Sequence, residues 1–517
     1  MSSSGVFGCS TRASTAERAG RDRPISCTGT DPDGMTMKPT VTVDIGTTRT
    51  KLGFFDQHGN QLASERQVTP NTADSWGAIY DVDTLLAIVI RFIRSLDDRH
   101  RLSVERVAIA GVGESGGLVD PDLQLRSPMI LWHDHRGSAM VDRLDDNDRA
   151  NVYRVTGLPA NANYSLSKVA WAVAQAPHGS RDLKWLNVSE YVAAFMTGRR
   201  WAEYSLASRT MALDLRTGSW SPEMCRLAGI DVELFPELRT AAHGETVSSE
   251  FARRVALPTS VTVHVVGHDH MVGAVGAGLD RGEILNSTGT TEGLLLLRDD
   301  PSLDDYSAGA KLANGIACDA SAYTLFASIP TGGSAFATLQ RMLGMSASIL
   351  STCVSALSER YLSGEIDLWR IPVVVPQFRG SPPPEKSSSA RGVIANLGTD
   401  ASAEDIVFGC FLGLAIQFRK VLELFRTDAT TIKVIGPASE NRLWLHLKAD
   451  VLGADLSVSK FPEVVSRGAQ ALASADRSCW ASCEPADIPA DKERHLRLQE
   501  WYEGIQPAIR SLGELSW

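Results

Sequence analysis

The hydrophobic pattern of the chain opens with an apolar run at Val41–Phe55 that is interrupted by a short polar stretch at 44–48. Apolar residues on both sides of a centre that contains Gly and Thr predict two strands joined by a tight turn. Apolar positions then recur at helical spacing across Asp81–Arg99, and Val104–Ala110 is predicted to form the next strand.

The predicted turn after the first strand has the chemistry of a phosphate site. Gly46 lets the backbone approach a ligand closely, and consecutive amides with the hydroxyls of Thr47 and Thr48 can face an anion. Asp44, at the end of the first strand, can hold a hydrated Mg²⁺ beside that phosphate. An ordinary hairpin with a favourable turn sequence is the alternative interpretation of this stretch.

The same plan recurs halfway along the chain, at Ile284–Leu297. An apolar strand leads into Gly289, Thr290 and Thr291, and a second apolar strand follows. The repeat is more specific than either copy by itself. Two such hairpins that face each other across a cleft would bind a polyphosphate from both sides.

A buried strand with a polar tip is predicted at Val261–His270, followed by a Gly- and Ala-rich, tightly packed helix at Met271–Leu279. Asp269 would then lie at or near the N-terminus of this helix, where the helix dipole and the free amides help to keep a carboxylate ionised. Such a carboxylate suits a general base that accepts a hydroxyl proton.

A second polar cluster follows the short strand predicted at Ile130–Leu131. Asp134 can accept hydrogen bonds from hydroxyl groups, and Trp132 can pack on a carbon skeleton. The cluster therefore suits a small polyhydroxyl substrate. A salt-bridged strand end is the alternative interpretation.

Two loops in the second half of the chain precede predicted helices. The Pro330–Ser334 loop contains Gly332, and the predicted strand Thr431–Ile435 leads into Gly436 and a further helix. A Gly-containing turn between a strand and a helix N-terminus fits nucleoside binding at the carboxyl end of the strand.

Two other patterns point to different chemistry. Gly111–Gly116 matches the dinucleotide fingerprint G-x-G-x-x-G, but Gly117–Asp122 is predicted to form a strand that runs into a turn, whereas the fingerprint must open a helix. The His-Asp-His triplets at 133–135 and 268–270 suggest a transition-metal site. In an extended stretch, however, the two histidines point away from the aspartate, and hydrogen-bonded or solvated histidines are the simpler expectation.

Composition narrows the class of protein. A chain of 517 residues is too long for one hydrophobic core and predicts two or three domains. The formal net charge of -10 argues against a nucleic-acid surface, and no apolar run approaches the length of a membrane span. The eight scattered cysteines are expected to be reduced thiols of a cytoplasmic protein. Residues 1–38, rich in Ser, Thr, Arg and Gly, are expected to be disordered.

The two Gly-Thr-Thr turns, the Gly267-His268-Asp269 segment and the Trp132, Asp134, Arg136 pattern together resemble the FGGY family of carbohydrate kinases, in the sugar kinase/actin/heat-shock ATPase superfamily. The resemblance runs from about Val41 to about Ala475. It implies an α/β fold with two actin-like (ribonuclease H-like) domains and a central cleft. The implied organisation is an N-terminal sugar and base domain at 39–280, a C-terminal nucleotide domain at 281–480 and a partly helical tail at 481–517.

The resemblance further implies ATP-dependent phosphorylation of a hydroxyl on a small sugar, ketose or polyol. Asp269 would be the catalytic base, and Asp44 and Asp269 would hold Mg²⁺. Glu114, Trp132, Asp134 and Asp269 would contact the substrate. The residues implied in ATP binding are Gly46, Thr47, Thr48, Gly289, Thr290, Gly332, Gly436, Ala438 and Asn441.

One loop departs from the pattern of the family, because Pro437 follows Gly436 and removes a backbone amide that could contact the nucleotide. The expected partners are a small-molecule sugar or polyol and ATP, without nucleic acid or membrane, and a homodimer is the default assembly. A nucleotide-gated sugar sensor, or an actin-like ATPase without sugar kinase turnover, is the alternative function.

Overall fold

The structure of the protein is a computed structural model that describes residues 37–176, 182–429, 431–475 and 485–513. The disordered extension predicted at 1–38 lies outside the described residues, except for Met37 and Lys38. The described part of the predicted tail contains a short strand and a long helix.

The strands of the described residues carry numbers in chain order. They are β1 (Thr40–Ile45), β2 (Arg49–Phe55), β3 (Gln61–Val68), β4 (Asn71–Ala73), β5 (Ala78–Tyr80), β6 (Arg106–Gly111), β7 (Gly116–Val119), β8 (Lys184–Asn187), β9 (Trp201–Glu203), β10 (Leu213–Asp214), β11 (Ser219–Trp220), β12 (Glu237–Arg239), β13 (Glu245–Thr246), β14 (Thr262–His268), β15 (Glu283–Thr288), β16 (Glu292–Arg298), β17 (Ala313–Ile316), β18 (Tyr323–Ile329), β19 (Val373–Val375), β20 (Val393–Ala395), β21 (Thr431–Ile435), β22 (Leu456–Val458) and β23 (Ala486–Ile488).

The α-helices are numbered in the same way. They are α1 (Val82–Ser95), α2 (Asp98–Ser103), α3 (Ser138–Asp142), α4 (Asp146–Thr156), α5 (Ser165–Gln175), α6 (Val188–Thr197), α7 (Tyr204–Ala207), α8 (Pro222–Ala228), α9 (Ser249–Val255), α10 (Asp269–Gly276), α11 (Asp305–Gly309), α12 (Ser334–Leu343), α13 (Ala347–Leu362), α14 (Ala403–Glu423), α15 (Arg442–Leu452), α16 (Val464–Ser474) and α17 (Lys492–Gly513). In the ranges that the structure describes, no helix combines the length and the apolar character needed to cross a bilayer.

The first large sheet has the strand order β13-β14-β6-β1-β2-β3. β1, β2 and β3 form an antiparallel meander, whereas β6 and β14 continue the sheet on the other side of β1 as parallel strands. Since β1 is central, it is buried along its whole length, as its apolar pattern requires. The hairpin predicted at Val41–Phe55 is confirmed, with Asp44 opposite Lys51.

The second large sheet, in the order β17-β18-β16-β15-β21-β22-β23, repeats this plan at its centre. β15, β16 and β18 form an antiparallel meander, and β21 and β22 run parallel to β15. The hairpin predicted at Ile284–Leu297 is thereby confirmed. The repeat in the sequence therefore corresponds to a repeat in topology, as the predicted α/β fold with two similar domains requires.

Two helices cross between the sheets. α10 follows β14 of the first sheet but also packs on β15 and β16 of the second, and α16 comes from the second half but packs on β1 and β6. At the crossing, a Cβ on Gly276 would lie 1.9 Å from the carbonyl oxygen of Val464. A Cβ on Gly468 would lie 2.1 Å from the carbonyl oxygen of Val272. Both helices therefore require glycine at the point of contact.

A shared hydrophobic cluster surrounds this crossing. It combines Phe55 and Val266 of the first sheet with Leu285 and Leu295 of the second, and Val464 of α16 joins them. Because this apolar surface is buried only when both sheets are in place, the hydrophobic effect holds the two halves of the chain together.

The segment between β6 and β14 adds a region with its own core. Leu118, Tyr164, Trp185 and Met211 are buried there among the helices that follow β7. This region supplies one wall of the site described below, because Tyr164 and Arg209 lie on its inner side.

Three local predictions have clear outcomes. The helix predicted at Asp81–Arg99 is divided, because the side chain of Asp97 accepts a hydrogen bond from the amide of His100 and starts α2. The strand predicted at Ile130–Leu131 is wrong: Ile130 makes only isolated bridges, and the chain turns where the amide of Asp134 donates to the carbonyl oxygen of Leu131. The segment after the fingerprint-like glycines forms β7, so no helix opens there.

The helix crossing makes a prediction about stability. Gly276→Ala places a methyl group against the backbone of α16, so the free energy of unfolding should fall by at least about 1–3 kcal/mol. Gly309→Ala is the matched control, since no atom lies within 4 Å of its added Cβ. It should change the free energy of unfolding by less than about 0.5 kcal/mol. Denaturant titration of both variants measures the difference, and equal stability would contradict the role of the crossing.

Candidate active site

Three parallel strands of the first sheet, β1, β6 and β14, bring polar residues to one edge. Ile45 at the end of β1 pairs with Gly111 at the end of β6, and Gly111 pairs with His268 at the end of β14. The residues that follow these strand ends therefore meet, and the charges of Asp44 and Asp269 are close enough to influence each other. This edge, at the carboxyl ends of parallel strands, is where α/β folds commonly bind ligands.

Hydrogen bonds connect the first Gly-Thr-Thr turn to the residues around it. The amide of Gly46 donates to the carbonyl oxygen of Arg49 at 3.2 Å, and Thr69 Oγ1 donates to the carbonyl oxygen of Gly46 at 2.7 Å. Trp132 Nε1 donates to Thr47 Oγ1 at 2.9 Å. A residue predicted to bind phosphate is thus linked directly to one predicted to bind the substrate.

The second Gly-Thr-Thr turn is joined by the two loops that were predicted to bind nucleotide. The amide of Gly332 donates to the carbonyl oxygen of Thr290 at 3.2 Å, and the amide of Gly333 donates to that of Gly289 at 2.9 Å. Gly436 has a φ of +101°, and a Cβ there would lie 2.4 Å from the carbonyl oxygen of Thr288. The structure therefore assembles three distant segments into one backbone surface.

A buried ion pair stabilises the hairpin that carries the second Gly-Thr-Thr turn. Lys448 Nζ lies 2.6 Å from Glu292 Oε2 and 2.6 Å from Asn286 Oδ1, and all three residues are buried. Glu292 directly follows the Gly-Thr-Thr turn. Because a buried charge without its partner is costly, the pair fixes the second hairpin against α15.

Ala438 and Asn441 lie just after the Gly436 turn. Pro437 opens a short 3-10 turn at Pro437–Glu440 that contains Ala438. The Asn441 side chain caps α15, because its Oδ1 accepts a hydrogen bond from the amide of Trp444 at 3.1 Å. Asn441 therefore has a structural role at this helix N-terminus, and its role in nucleotide binding stays a prediction.

Asp269 is the first residue of α10, and its Oδ1 accepts a hydrogen bond from the amide of His270 at 2.7 Å. Burial raises the pKa of Asp269 to about 7; the charge of Glu114 acts in the same direction, and Lys51 and Arg209 oppose it. A carboxyl group with such a pKa can exchange protons near neutral pH.

The chain just before Asp269 is held by a buried hydroxyl. Ser205 Oγ accepts a hydrogen bond from the amide of His268 at 2.9 Å and donates one to Glu203 Oε2 at 2.5 Å. Gly267, with a φ of +119°, allows this approach, since a Cβ there would lie 2.3 Å from Ser205 Oγ. These contacts fix the direction in which α10 starts.

The two histidines beside Asp269 have separate environments. His270 Nδ1 lies 2.8 Å from Ser287 Oγ, which connects the first half of the chain to the second hairpin. Burial lowers the pKa of His270 to about 4, and it also lowers the pKa of His268. Both rings are therefore neutral at physiological pH.

Asp44 keeps one oxygen for a ligand. Its Oδ2 lies 3.3 Å from Lys51 Nζ, and Lys51 Nζ lies 3.5 Å from Glu463 Oε2. Within the described part of the chain, Asp44 Oδ1 is buried and has no hydrogen-bond partner. Burial raises the pKa of Asp44, and the positive charge of Lys51 opposes the shift. A buried carboxylate oxygen without a partner fits the hard oxygen ligands that Mg²⁺ prefers.

The residues near Asp44 fit a magnesium site only if the substrate phosphates and water supply the other ligands. Over the described ranges, no group of three or more His, Cys, Asp or Glu side chains is arranged to hold a metal ion. Mg²⁺ is commonly held by one or two carboxylates together with substrate phosphates and water. Asp44 and Asp269 match that pattern, whereas a site made by protein side chains alone does not.

A cleft of about 990 Å³, including its open mouth, lies above these residues. Both halves of the chain line it: Thr47, Glu114, Trp132 and Asp269 come from the first, and Thr291 comes from the second. The structure therefore brings predicted substrate residues and one threonine of each Gly-Thr-Thr turn to one space.

Glu114 is held in place by a cation from a distant helix end. Arg209 donates to Glu114 Oε1 through Nε at 2.9 Å and Nη2 at 2.8 Å, and its guanidinium lies 5.2 Å from the ring centre of Tyr164. Glu114 itself has a φ of +61°, which is rare for a residue with a side chain. Such backbone strain is typical of functional sites.

Asp134 is a predicted substrate residue that the structure does not bring to the cleft wall. Its Oδ1 accepts hydrogen bonds from the amide and Nε of Arg136, and its Oδ2 lies 2.8 Å from Nη2 of the same residue. Arg136 also pairs with Asp74 at 2.9 Å. Both oxygens of Asp134 are therefore occupied, which is the salt-bridged alternative to the predicted role.

Several residues of the cleft have no signal in the sequence. Arg209 is separated from Glu114 by 95 positions, and Lys311 and Lys386 come from loops without a recognisable motif. Lys51, which contacts Asp44, differs from these residues of the cleft: it lies opposite Asp44 in the predicted hairpin and could have been found from strand pairing.

Comparison with known proteins identifies the family. Residues 40–276 match the N-terminal domain of the FGGY family of carbohydrate kinases, and residues 284–476 match its C-terminal domain. Each match contains one Gly-Thr-Thr turn, and the first also contains Asp269.

Relatives cover nearly the whole chain. A glycerol kinase of Enterococcus casseliflavus is 25% identical, over 91% of this chain and 96% of the relative. Crystal structures of a ligand-bound xylulose kinase and a gluconate kinase, both from Lactobacillus acidophilus, each superpose with a TM-score of 0.81 at 17% identity, covering 93% of this chain and 99% of theirs. These likenesses confirm the predicted fold with two actin-like domains.

Proposed function

The chain belongs to the FGGY family of carbohydrate kinases, and on that premise we propose that Asp269 is the general base in transfer of the γ-phosphoryl group of ATP to a hydroxyl of a small sugar, ketose or polyol. The observation that carries the proposal is that Asp269 lines the same cleft as Thr47 and Thr291, one from each Gly-Thr-Thr turn. A hydroxyl bound beside Asp269 would therefore be within reach of a phosphate bound by the turns.

The relatives act on different carbohydrates. Their names include a glycerol kinase, a xylulose kinase and a gluconate kinase. Membership in the family supports a phosphotransferase that acts on a carbohydrate, but it does not choose among a polyol, a ketose and a sugar acid.

In the proposed reaction, the substrate hydroxyl gives its proton to Asp269 Oδ2 as its oxygen bonds to the γ-phosphorus. The bond from that phosphorus to the bridging oxygen breaks, and ADP leaves. Asp269 Oδ1 is already held by the amide of His270, so Oδ2 is the oxygen available to the substrate. Proton transfer of this kind contributes about 10²–10⁴ in rate.

The larger share of the rate is assigned to positioning and to neutralisation of phosphate charge. The turns at Gly46–Thr48 and Gly289–Thr290, with Gly332 and Gly436, would bind the phosphates through backbone amides. Asp44 would hold Mg²⁺ through its free Oδ1, and the bound ion would offset the negative charge of the phosphates. Lys51, 3.3 Å from Asp44, adds a fixed positive charge at the same place.

Glu114 and Trp132 are assigned to the substrate. Arg209 occupies Glu114 Oε1, which leaves Oε2 to accept hydrogen bonds from hydroxyl groups. The indole of Trp132 lines the cleft while its Nε1 donates to Thr47, so its face can pack on the carbon skeleton. A homodimer and a cytoplasmic location stay predictions.

Removal of the base tests the central assignment. Asp269→Asn keeps an oxygen for the amide of His270 but cannot accept the proton, so kcat should fall by at least about a hundredfold while substrate and ATP affinities stay near those of the wild type. A coupled ADP assay gives kcat, and calorimetry gives the affinities. Asp299→Asn, at a side chain that is 78% exposed, is the matched control. A nearly unchanged kcat would remove Asp269 from the role of base.

The pKa of Asp269 sets the expected pH profile. Since burial raises this pKa to about 7, the base is protonated at lower pH. The rate constant kcat/KM should therefore fall about tenfold for each pH unit below 7 and level off above it. Stopped assays from acid to mildly alkaline pH measure the profile. A profile that is flat down to the ordinary range of aspartate would contradict the assignment.

Asp44 should matter for Mg·ATP rather than for the sugar. Asp44→Asn retains the shape of the side chain but loses the charge, so use of Mg·ATP should weaken at least about tenfold while sugar affinity changes little. Glu463→Gln is the control, because it removes the other carboxylate partner of Lys51. Loss of sugar affinity with intact Mg·ATP affinity, measured by calorimetry, would reverse the assignment.

A further inference from the structure

Two lysines from the second half of the chain, Lys311 and Lys386, line the cleft opposite the first half. Lys311 Nζ donates to the carbonyl oxygen of Glu385, the residue before Lys386. This bond brings the two lysines together on one part of the wall. The proposed mechanism uses neither of them.

Within the described part of the chain, the Lys386 ammonium has no counter-ion of its own. In the described ranges, no side-chain or backbone oxygen accepts a hydrogen bond or forms an ion pair with its Nζ. Burial lowers the pKa of Lys386 to about 8, and the positive charges of Arg209 and Lys311 act in the same direction, whereas Glu114 opposes them. Desolvating a cation beside other cations is unfavourable unless a ligand supplies negative charge.

The backbone at both lysines has an uncommon conformation. Lys311 has a φ of +53° and Lys386 a φ of +48°, in the left-handed region that residues with side chains rarely adopt. Both lysines share this conformation with Glu114 on the opposite wall.

Asp269 and both lysines line the same cleft, together with Glu114 and Arg209. A ligand that spans the cleft would therefore contact Lys386 and Asp269 together.

The balance of charged side chains in the cleft favours a ligand with a single negative charge. Three cations, Arg209, Lys311 and Lys386, face two carboxylates, Glu114 and Asp269. One carboxylate on the ligand would neutralise the excess positive charge. A phosphate dianion would instead leave an excess of negative charge beside Glu114, which is costly in a desolvated cleft.

We propose that the substrate is an open-chain sugar acid, whose carboxylate binds Lys386 and Lys311 and one of whose hydroxyl groups reaches Asp269. This inference rests on the proposed kinase function and names its substrate class. Glu114 and Arg209, which line the same cleft, would contact further hydroxyl groups.

The test compares matched acids and polyols. Asp269-dependent ADP formation would be measured with the aldonic acids from erythronic to gluconic acid, in all diastereomers, with the corresponding alditols and with the corresponding sugar monophosphates. For the best acid, kcat/KM should exceed that of its alditol by at least about tenfold. Product analysis by NMR should find the phosphate on a hydroxyl oxygen and the carboxylate unmodified.

Substitution of Lys386 connects this preference to the wall. Lys386→Met keeps the apolar stem but removes the charge, so the ratio of acid to alditol kcat/KM should fall at least about tenfold, chiefly through a higher KM for the acid. Lys386→Arg should retain most of the preference because it retains the charge. Lys460→Gln, at an exposed lysine, is the matched control and should leave the ratio unchanged.

The outcomes separate this inference from the function on which it rests. Asp269-dependent turnover of alditols without a preference for acids, or a preference that Lys386→Met does not change, would overturn the inference alone. A preference for sugar monophosphates over acids would overturn the choice of a carboxylate. Absence of ADP formation with every compound, and also with the free aldoses and ketoses of the same chain lengths, would overturn the proposed function and this inference with it.

Discussion

The close crossing of α10 and α16 is the contact on which the rest of the structure depends. α10 starts with Asp269 at the edge of the first sheet and packs on the second, while α16 starts beside Glu463 and packs on the first. Gly276 and Gly468 let the two backbones touch, which no larger residue would permit. The distance between α10 and α16 at the crossing is therefore set by two glycines.

Polar contacts beside this crossing also connect the two halves of the chain. Glu463 at the start of α16 pairs with Lys51, which pairs with Asp44 at the end of β1. On the other side, His270 of α10 lies 2.8 Å from Ser287 in the second hairpin. The strand before each Gly-Thr-Thr turn thus has a polar link to one of the two helices that cross between the sheets.

Burial explains why the cleft can hold so many ionisable groups. Desolvation raises the pKa of Asp269 toward neutrality, so this carboxyl group can exchange a proton near neutral pH. Desolvation lowers the pKa of Lys386, and a negatively charged ligand would stabilise its ammonium group. The ion pair between Glu114 and Arg209 lines the same cleft. The cleft therefore combines a group suited to proton transfer with a cation suited to an anionic ligand.

Local patterns in the sequence determined the two hairpins, the strand and helix around Asp269 and the duplicated α/β plan, because each depends on residues that are neighbours along the chain. The approach of Arg209 to Glu114 across 95 positions was decided only by the tertiary structure. So was the pairing of Arg136, which also binds Asp134, with Asp74 at 62 positions away. The lowered pKa of Lys386 could not be predicted from the sequence either. It results from burial and from the nearby charges of Arg209 and Lys311, which are distant from Lys386 along the chain.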